Sequence, residues 1–107
     1  MIHETISQIE AKLQNAGALN PEARLELLNL LATLKGEIIK IDSEKAQSIA
    51  GFAQTLAHEA TREEKNPELL KLSLAGLSAS VDGFEKSHPK LVEIVNRICT
   101  ALSGLGI

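Results

Sequence analysis

Three places in this chain carry residue types that can do chemistry: His58-Glu59 in an alanine-rich run, Glu85 and His88 three apart, and a single cysteine, Cys99. The first invites comparison with the zinc-protease helix pattern, where a second His follows four residues later so that both imidazoles share one face. Residue 62 is Arg, and a guanidinium does not ordinarily ligate metal, so that pattern fails. His58 is therefore expected on a solvated helix face. Glu85-x-x-His88 has the spacing used by carboxylate-bridged di-metal bundles, which need two such pairs and two further inward glutamates. One pair is present, at a helix end beside Pro89, so a metal site would need a second copy of the chain. Local bonding of His88 to backbone or to Glu85 is the expectation, and no cofactor is called for. Cys99 would need a His and an orienting group to act as a nucleophile. It falls instead on a core-facing position, where a free thiol behaves as a small hydrophobe. The glycines stand singly, so no phosphate-cradling loop is formed, and no catalytic residue is assigned.

Composition narrows the remaining classes. Eleven Lys plus Arg against fourteen Asp plus Glu leave a net charge of −3, and the longest basic cluster is the interspersed stretch at 61–65. Affinity for nucleic acid comes from neutralising phosphates, so no nucleic-acid partner is expected. No apolar stretch approaches the roughly 18 residues of a membrane span, which points to a cytoplasmic protein without a membrane partner. The apolar share of 44% is almost wholly Leu, Ile and Ala, with two Phe and neither Trp nor Tyr. That is the palette of a helical bundle, and 107 residues allow one core, so a single domain over 1–107 is expected.

Apolar residues recur at spacings of four and three almost throughout, the period of helices packed at shallow angles. Ile2, Ile6, Ile9, Leu13 and Ala16 make a narrow seam on a first helix, ended at Gly17 and expected either to have one neighbour or to lie at an edge. Asn20-Pro21-Glu22 then spells a helix start: Asn accepts from orphan amides, Pro fits the first turn, and Glu suits the positive end. The second helix, about 21–41, carries two stripes, Leu27, Leu31, Leu34, Ile38 and Ile41 beside Leu25, Leu28, Ala32 and Ile39. So wide an apolar arc predicts cover on two sides, which makes this helix the centre of the bundle.

A phase slip at Asp42 and Ser43 predicts a turn. The third helix, about 44–64, has a seam of Ala46, Ala50, Ala53, Ala57 and Ala60 flanked by Ile49, Phe52 and Leu56. Asn66-Pro67-Glu68 repeats the start signal, either from duplication of a helical hairpin or because the same caps serve both helices. The fourth helix sets Leu70, Leu74, Leu77, Val81 and Phe84 beside a stripe of small residues, Ser73, Gly76, Ser80, Gly83 and Ser87. Each interior glycine weakens a helix by roughly 1 kcal/mol relative to alanine. The stripe therefore predicts close packing, with the alanine seam as partner. Ser87-His88-Pro89 interrupts the pattern, so a break is expected there, a kinked continuous helix being the alternative. Leu91, Val95, Ile98, Leu102 and Leu105 define a fifth helix closed at Gly104, with Leu105 folding back on Cys99.

At 84–107 the residues Phe84-Glu85-Lys-Ser-His88-Pro89-Lys-Leu91, Asn96-Arg97-Ile98 and Ala101-Leu102-Ser103-Gly104-Leu105-Gly106-Ile107 resemble a bacterial family of short helical proteins known as domain of unknown function 4404. Its members look like Phe-Glu-x-x-His-Pro-x-Leu, a helix, and a terminal Leu-Ser-Asn-x-Gly-Ile; Gly104 stands here where the pattern has Asn. The resemblance implies a bacterial, cytoplasmic protein and no activity. It also implies that Phe84, Glu85, His88, Pro89, Leu91, Gly106 and Ile107 share a structural or binding role. Pro89 opening a helix and Gly106 allowing a terminal turn are sufficient structural reasons for two of them.

The reading is an all-α bundle of four or five heptad-patterned helices, mostly antiparallel, with helices three and four in close contact. Its function is expected to be non-enzymatic, through self-association, with a dimer favoured because such apolar seams exceed what a chain of this length covers. The alternatives are a regulator that receives a partner's amphipathic helix, or a bundle holding a small ligand or metal.

Overall fold

In the computed structural model, which describes residues 2–16 and 19–106, with side chains placed through Gly104, the heptad stripes become five α-helices and, among the described residues, no strand. These are α1 (Ile2–Gln14), α2 (Pro21–Ile38), α3 (Ser43–Ala60), α4 (Pro67–Ser80) and α5 (Pro89–Gly106). Both Asn-Pro-Glu signals work as read. Asn20 Oδ1 accepts the Glu22 amide at 2.8 Å, and Asn66 Oδ1 accepts those of Glu68 and Leu69 at 3.1 and 3.2 Å, with proline at each helix start.

Cross-links set the directions. Gln8 meets Gln54 and Lys12 meets His58, so α1 and α3 run parallel. Glu10 pairs with Lys35 at 2.6 Å while Arg24 reaches back to Leu13, so α1 and α2 run antiparallel. Phe52 lies on Gly76 and Lys45 over Phe84, so α3 and α4 are antiparallel too. Viewed down its axis the bundle is a ring, α1–α2–α5–α4–α3, closed by α1 against α3 and braced across the middle by α3 against α5.

The core is one continuous cluster fed by all five helices. Ile6, Ile9 and Leu13 from α1, Leu27, Leu31, Leu34 and Ile38 from α2, Ile49 and Leu56 from α3, Leu77 from α4, and Leu91 and Ile98 from α5 are each 2% exposed or less.

Several expectations need correction. Helix α2 packs on α1 and α5 and is not the centre; α5 packs on α2, α3 and α4, and α3, with the most extensive contacts, packs on α1, α4 and α5. The five seam alanines of α3 are all buried, and their short side chains let three neighbours come near one axis. The second stripe of α2 stays uncovered, with Leu25 62% and Ile39 66% exposed. Helix α1 has two neighbours, α2 and α3. Helix α3 ends at Ala60, where the Thr61 hydroxyl donates to the Ala57 carbonyl at 2.7 Å and Lys65 Nζ reaches the Ala60 carbonyl. Helix α4 ends at Ser80, so Gly83 and Ser87 belong to the following turn and not to a helical stripe. Helix α5 continues through Gly104 to Gly106, so neither glycine ends the helix early. Gly17 and Ile107 lie outside the described residues, as does the Leu105 side chain expected on Cys99.

Candidate functional site

The signature segment at 84–91 forms the turn that joins α4 to α5. Amides of Val81 and Asp82 donate back to the carbonyls of Ser78 and Ala79, and the Phe84 amide to Val81 at 3.1 Å. The chain reverses at Gly83, whose φ of +97° falls where a side chain is strained. Glu85 Oε2 accepts the Gly83 amide at 2.7 Å. The His88 amide then donates to the Phe84 carbonyl at 2.8 Å, and the His88 carbonyl accepts from Val92 at 3.3 Å, the first bond of α5. Pro89 opens that helix, where no donor is needed.

The side chains follow the same logic. Phe84, half-buried, meets His88 edge-on with ring centroids 5.7 Å apart, and Lys45 Nζ of α3 sits 5.4 Å above the Phe84 ring. Leu91 is fully buried. Glu85 is thus turned onto Gly83 and His88 onto Phe84, which leaves each with structural work in the turn. Among the described residues no three His, Cys, Asp or Glu are grouped as a metal ion would require.

The other candidate groups are similarly engaged. Lys12 Nζ lies 2.9 Å from His58 Nδ1 on an exposed face. Glu59 is only 7% exposed and is held by Arg62 at 2.9 Å, so the residue that spoils the zinc pattern is the one that neutralises this carboxylate. Burial lifts the Cys99 thiol from its ordinary 9.0 to about 11, which suppresses the nucleophilic thiolate.

Of the small residues expected to pack closely, Ser73 is buried and donates to the Leu69 carbonyl at 2.8 Å. Gly76 lies against Phe52: a Cβ there would stand 2.5 Å from two ring carbons. The ring, and not the alanine seam, occupies the space that Gly76 leaves. Ser80, half-buried, donates to the Leu77 carbonyl at 2.6 Å.

Two of the shallow grooves among the described residues border the signature segment. One of about 610 Å³ follows α5 and takes in Glu26, Glu85, Pro89, Glu93, Asn96 and Arg97. The exposed members of the signature segment thus share a wall with Asn96 and Arg97, while Leu91 and Ile98 point into the core. The other, about 410 Å³, runs between α3 and α4 over Phe52, Gly76 and Phe84.

Sequence reasoning missed Arg24. Its Nε donates to the Leu13 carbonyl at 3.3 Å, and one terminal nitrogen donates to those of Ala16 at 2.8 Å and Leu19 at 3.3 Å. Leu13 lies in the last turn of α1, and Ala16 and Leu19 lie between α1 and α2; no local spacing announces a clamp sent back from the next helix. The pairing of Phe52 with Gly76 was equally silent, since it depends on how α3 and α4 face one another.

Fold and turn together define an all-α helical bundle, and no helix among the described residues is long and apolar enough to cross a bilayer. The chain belongs to the family described as Domain of unknown function (DUF4404), which matches residues 24–107. That span takes in α3, α4, α5 and all but the first turn of α2; α1 lies outside it. No curated protein and no solved structure matches the chain.

Proposed function

We propose that this protein is a non-enzymatic, cytoplasmic helical module that acts through protein contact, and that its first partner is itself. The carrying observation is the second apolar stripe of α2. In a bundle whose core leucines are almost wholly covered, Leu25 and Ile39 stand 62% and 66% exposed on one stripe of one helix. Scattered apolar residues on a surface are ordinary, whereas an aligned set is the mark of a contact. Covering a Leu or Ile side chain is worth about 1.5–3 kcal/mol. The non-enzymatic part of the reading draws support from Glu85, His88, Glu59 and Cys99, each of which has a structural task. A lone free thiol at Cys99 suits a reducing compartment.

Light scattering across a hundredfold concentration range, with added zinc and with chelator, tests this. A dimer indifferent to metal is the expected result. A folded monomer throughout would overturn self-association and favour the second reading, a regulator whose α3–α4 groove, with Phe52 and Phe84 along it, receives a partner's amphipathic helix. Assembly that requires zinc and is lost on joint substitution of Glu85 and His88 would favour a metal-binding bundle instead.

A further inference from the structure

Helix α2 offers a surface that fits its own copy turned end for end. On its outward side Leu25, Leu28, Ala32 and Ile39 follow one stripe with Gly36 beside them, and Ile39 keeps helical dihedrals at the cap. The stripe from 25 to 39 is about 21 Å long at the helical rise. Leu28 is half-buried, and the other four are exposed. Gly36 is the telling member. An interior glycine weakens a helix relative to alanine, yet a Cβ at this position would meet nothing within 4 Å. The isolated chain therefore has no packing reason for a glycine there, unlike Gly76, which makes room for Phe52.

Under a two-fold axis at Ala32, residue numbers that face each other sum to 64. Leu25 then meets Ile39 of the second copy at both ends, Ala32 meets Ala32 on the axis, and Leu28 comes over the gap left by Gly36. Charge follows the same symmetry. Glu22 and Lys40, both exposed, lie at opposite ends of the stripe. Lys40 stands just past the end of α2 and pairs with Glu37 of its own chain at 3.1 Å, and since the two numbers sum to 62 the charges would meet about 3 Å out of register at the helical rise. The two-fold carries the acidic end of one copy onto the basic end of the other, and opposed helices also set their dipoles favourably. A parallel pairing would instead place Glu22 beside Glu22 and Lys40 beside Lys40.

We propose that this protein forms a two-fold dimer through antiparallel contact of α2 with α2 of a second copy, centred on Ala32, with Leu28 seated over Gly36 and Glu22 paired with Lys40 at each end. The proposal rests on the self-association reading above and names its surface. Three measurements on the full-length chain test it. Gly36→Gln places a side chain in open space in the single chain, so its helical signal is expected to hold or rise, Gln being the better helix former, while the dimer weakens tenfold or more by sedimentation. Glu22→Lys and Lys40→Glu should each weaken the dimer, and the two together should restore most of it. In a Cys99→Ala background, a short bis-maleimide should link Ala32→Cys to its own copy, whereas Leu25→Cys should link efficiently only when mixed with Ile39→Cys. A wild-type dimer that survives Gly36→Gln, ignores charge reversal and fails to cross-link at position 32 would overturn this surface while leaving self-association standing. A wild-type monomer at every concentration would overturn both.

Discussion

Arg24 shows what a single side chain can do for a small bundle. A guanidinium carries five donors in a rigid fork, and here it closes the end of α1 by bonding three carbonyls at 2.8–3.3 Å. Arg24→Ala is expected to lower stability by about 1.5–3 kcal/mol, the scale of bonds to charged groups. It should appear in urea as a lower midpoint at unchanged slope, with Arg24→Lys intermediate because an ammonium lacks the fork. Cys99 supplies a pH test. Its thiol is lifted from 9.0 to about 11 by burial alone, so the folded state holds the proton more tightly than the unfolded one. The stability this contributes is complete below pH 9 and is lost as pH rises toward 11. Denaturation midpoints measured from pH 7 to 11 should fall over that window, and Cys99→Ala should flatten this part of the profile. Much at this scale was legible beforehand: Asn20, Asn66 and Pro89 act as their chemistry dictates, because capping is local. The Arg24 clamp was not, because its acceptors sit outside its own helix, one in the last turn of α1 and two in the connection.

At the scale of elements, the turn between α4 and α5 is fixed by backbone and side-chain bonds together. Gly83 holds φ at +97° with open space where a Cβ would be, so Gly83→Ala isolates the backbone effect. A loss of about 1–2 kcal/mol is expected from the left-handed region alone. Gly104→Ala is the contrast, since that glycine lies inside α5 with nothing within 4 Å of the added carbon; a gain approaching about 1 kcal/mol is expected. Equal effects of the two in chemical denaturation would contradict this account. Helix starts were readable and helix ends were not. The ends of α3 at Ala60 and α4 at Ser80 depend on Thr61, Lys65 and the Glu85 carboxylate reaching particular backbone atoms, which spacing does not encode.

For the whole molecule, the consequence of one shared core is cooperativity. Leu56 sits fully buried on α3, which packs on three other helices. Leu56→Ala should cost about 2–5 kcal/mol and lower a single transition in which circular dichroism and scattering change together. A separate early transition would show that α1, which lies outside the family match, unfolds on its own. In that case the parallel contacts of Gln8 with Gln54 and Lys12 with His58 would count for little.

Taken alone, the amino-acid sequence determined the helical class, a count of four or five helices, the Asn20 and Asn66 caps and the family, because each is written in periodicity, capping chemistry or a contiguous motif. It also favoured a break at Ser87-His88-Pro89 over a kinked continuous helix, since proline lacks the donor. Only the tertiary structure decided which helices have three neighbours. A seam of alanines reads as weakly apolar in sequence, yet its small volume is what lets α3 accept three neighbours. The leucine-rich arc of α2, which reads as the natural centre, is half uncovered because five helices of this length close into a ring that leaves its outer side to solvent.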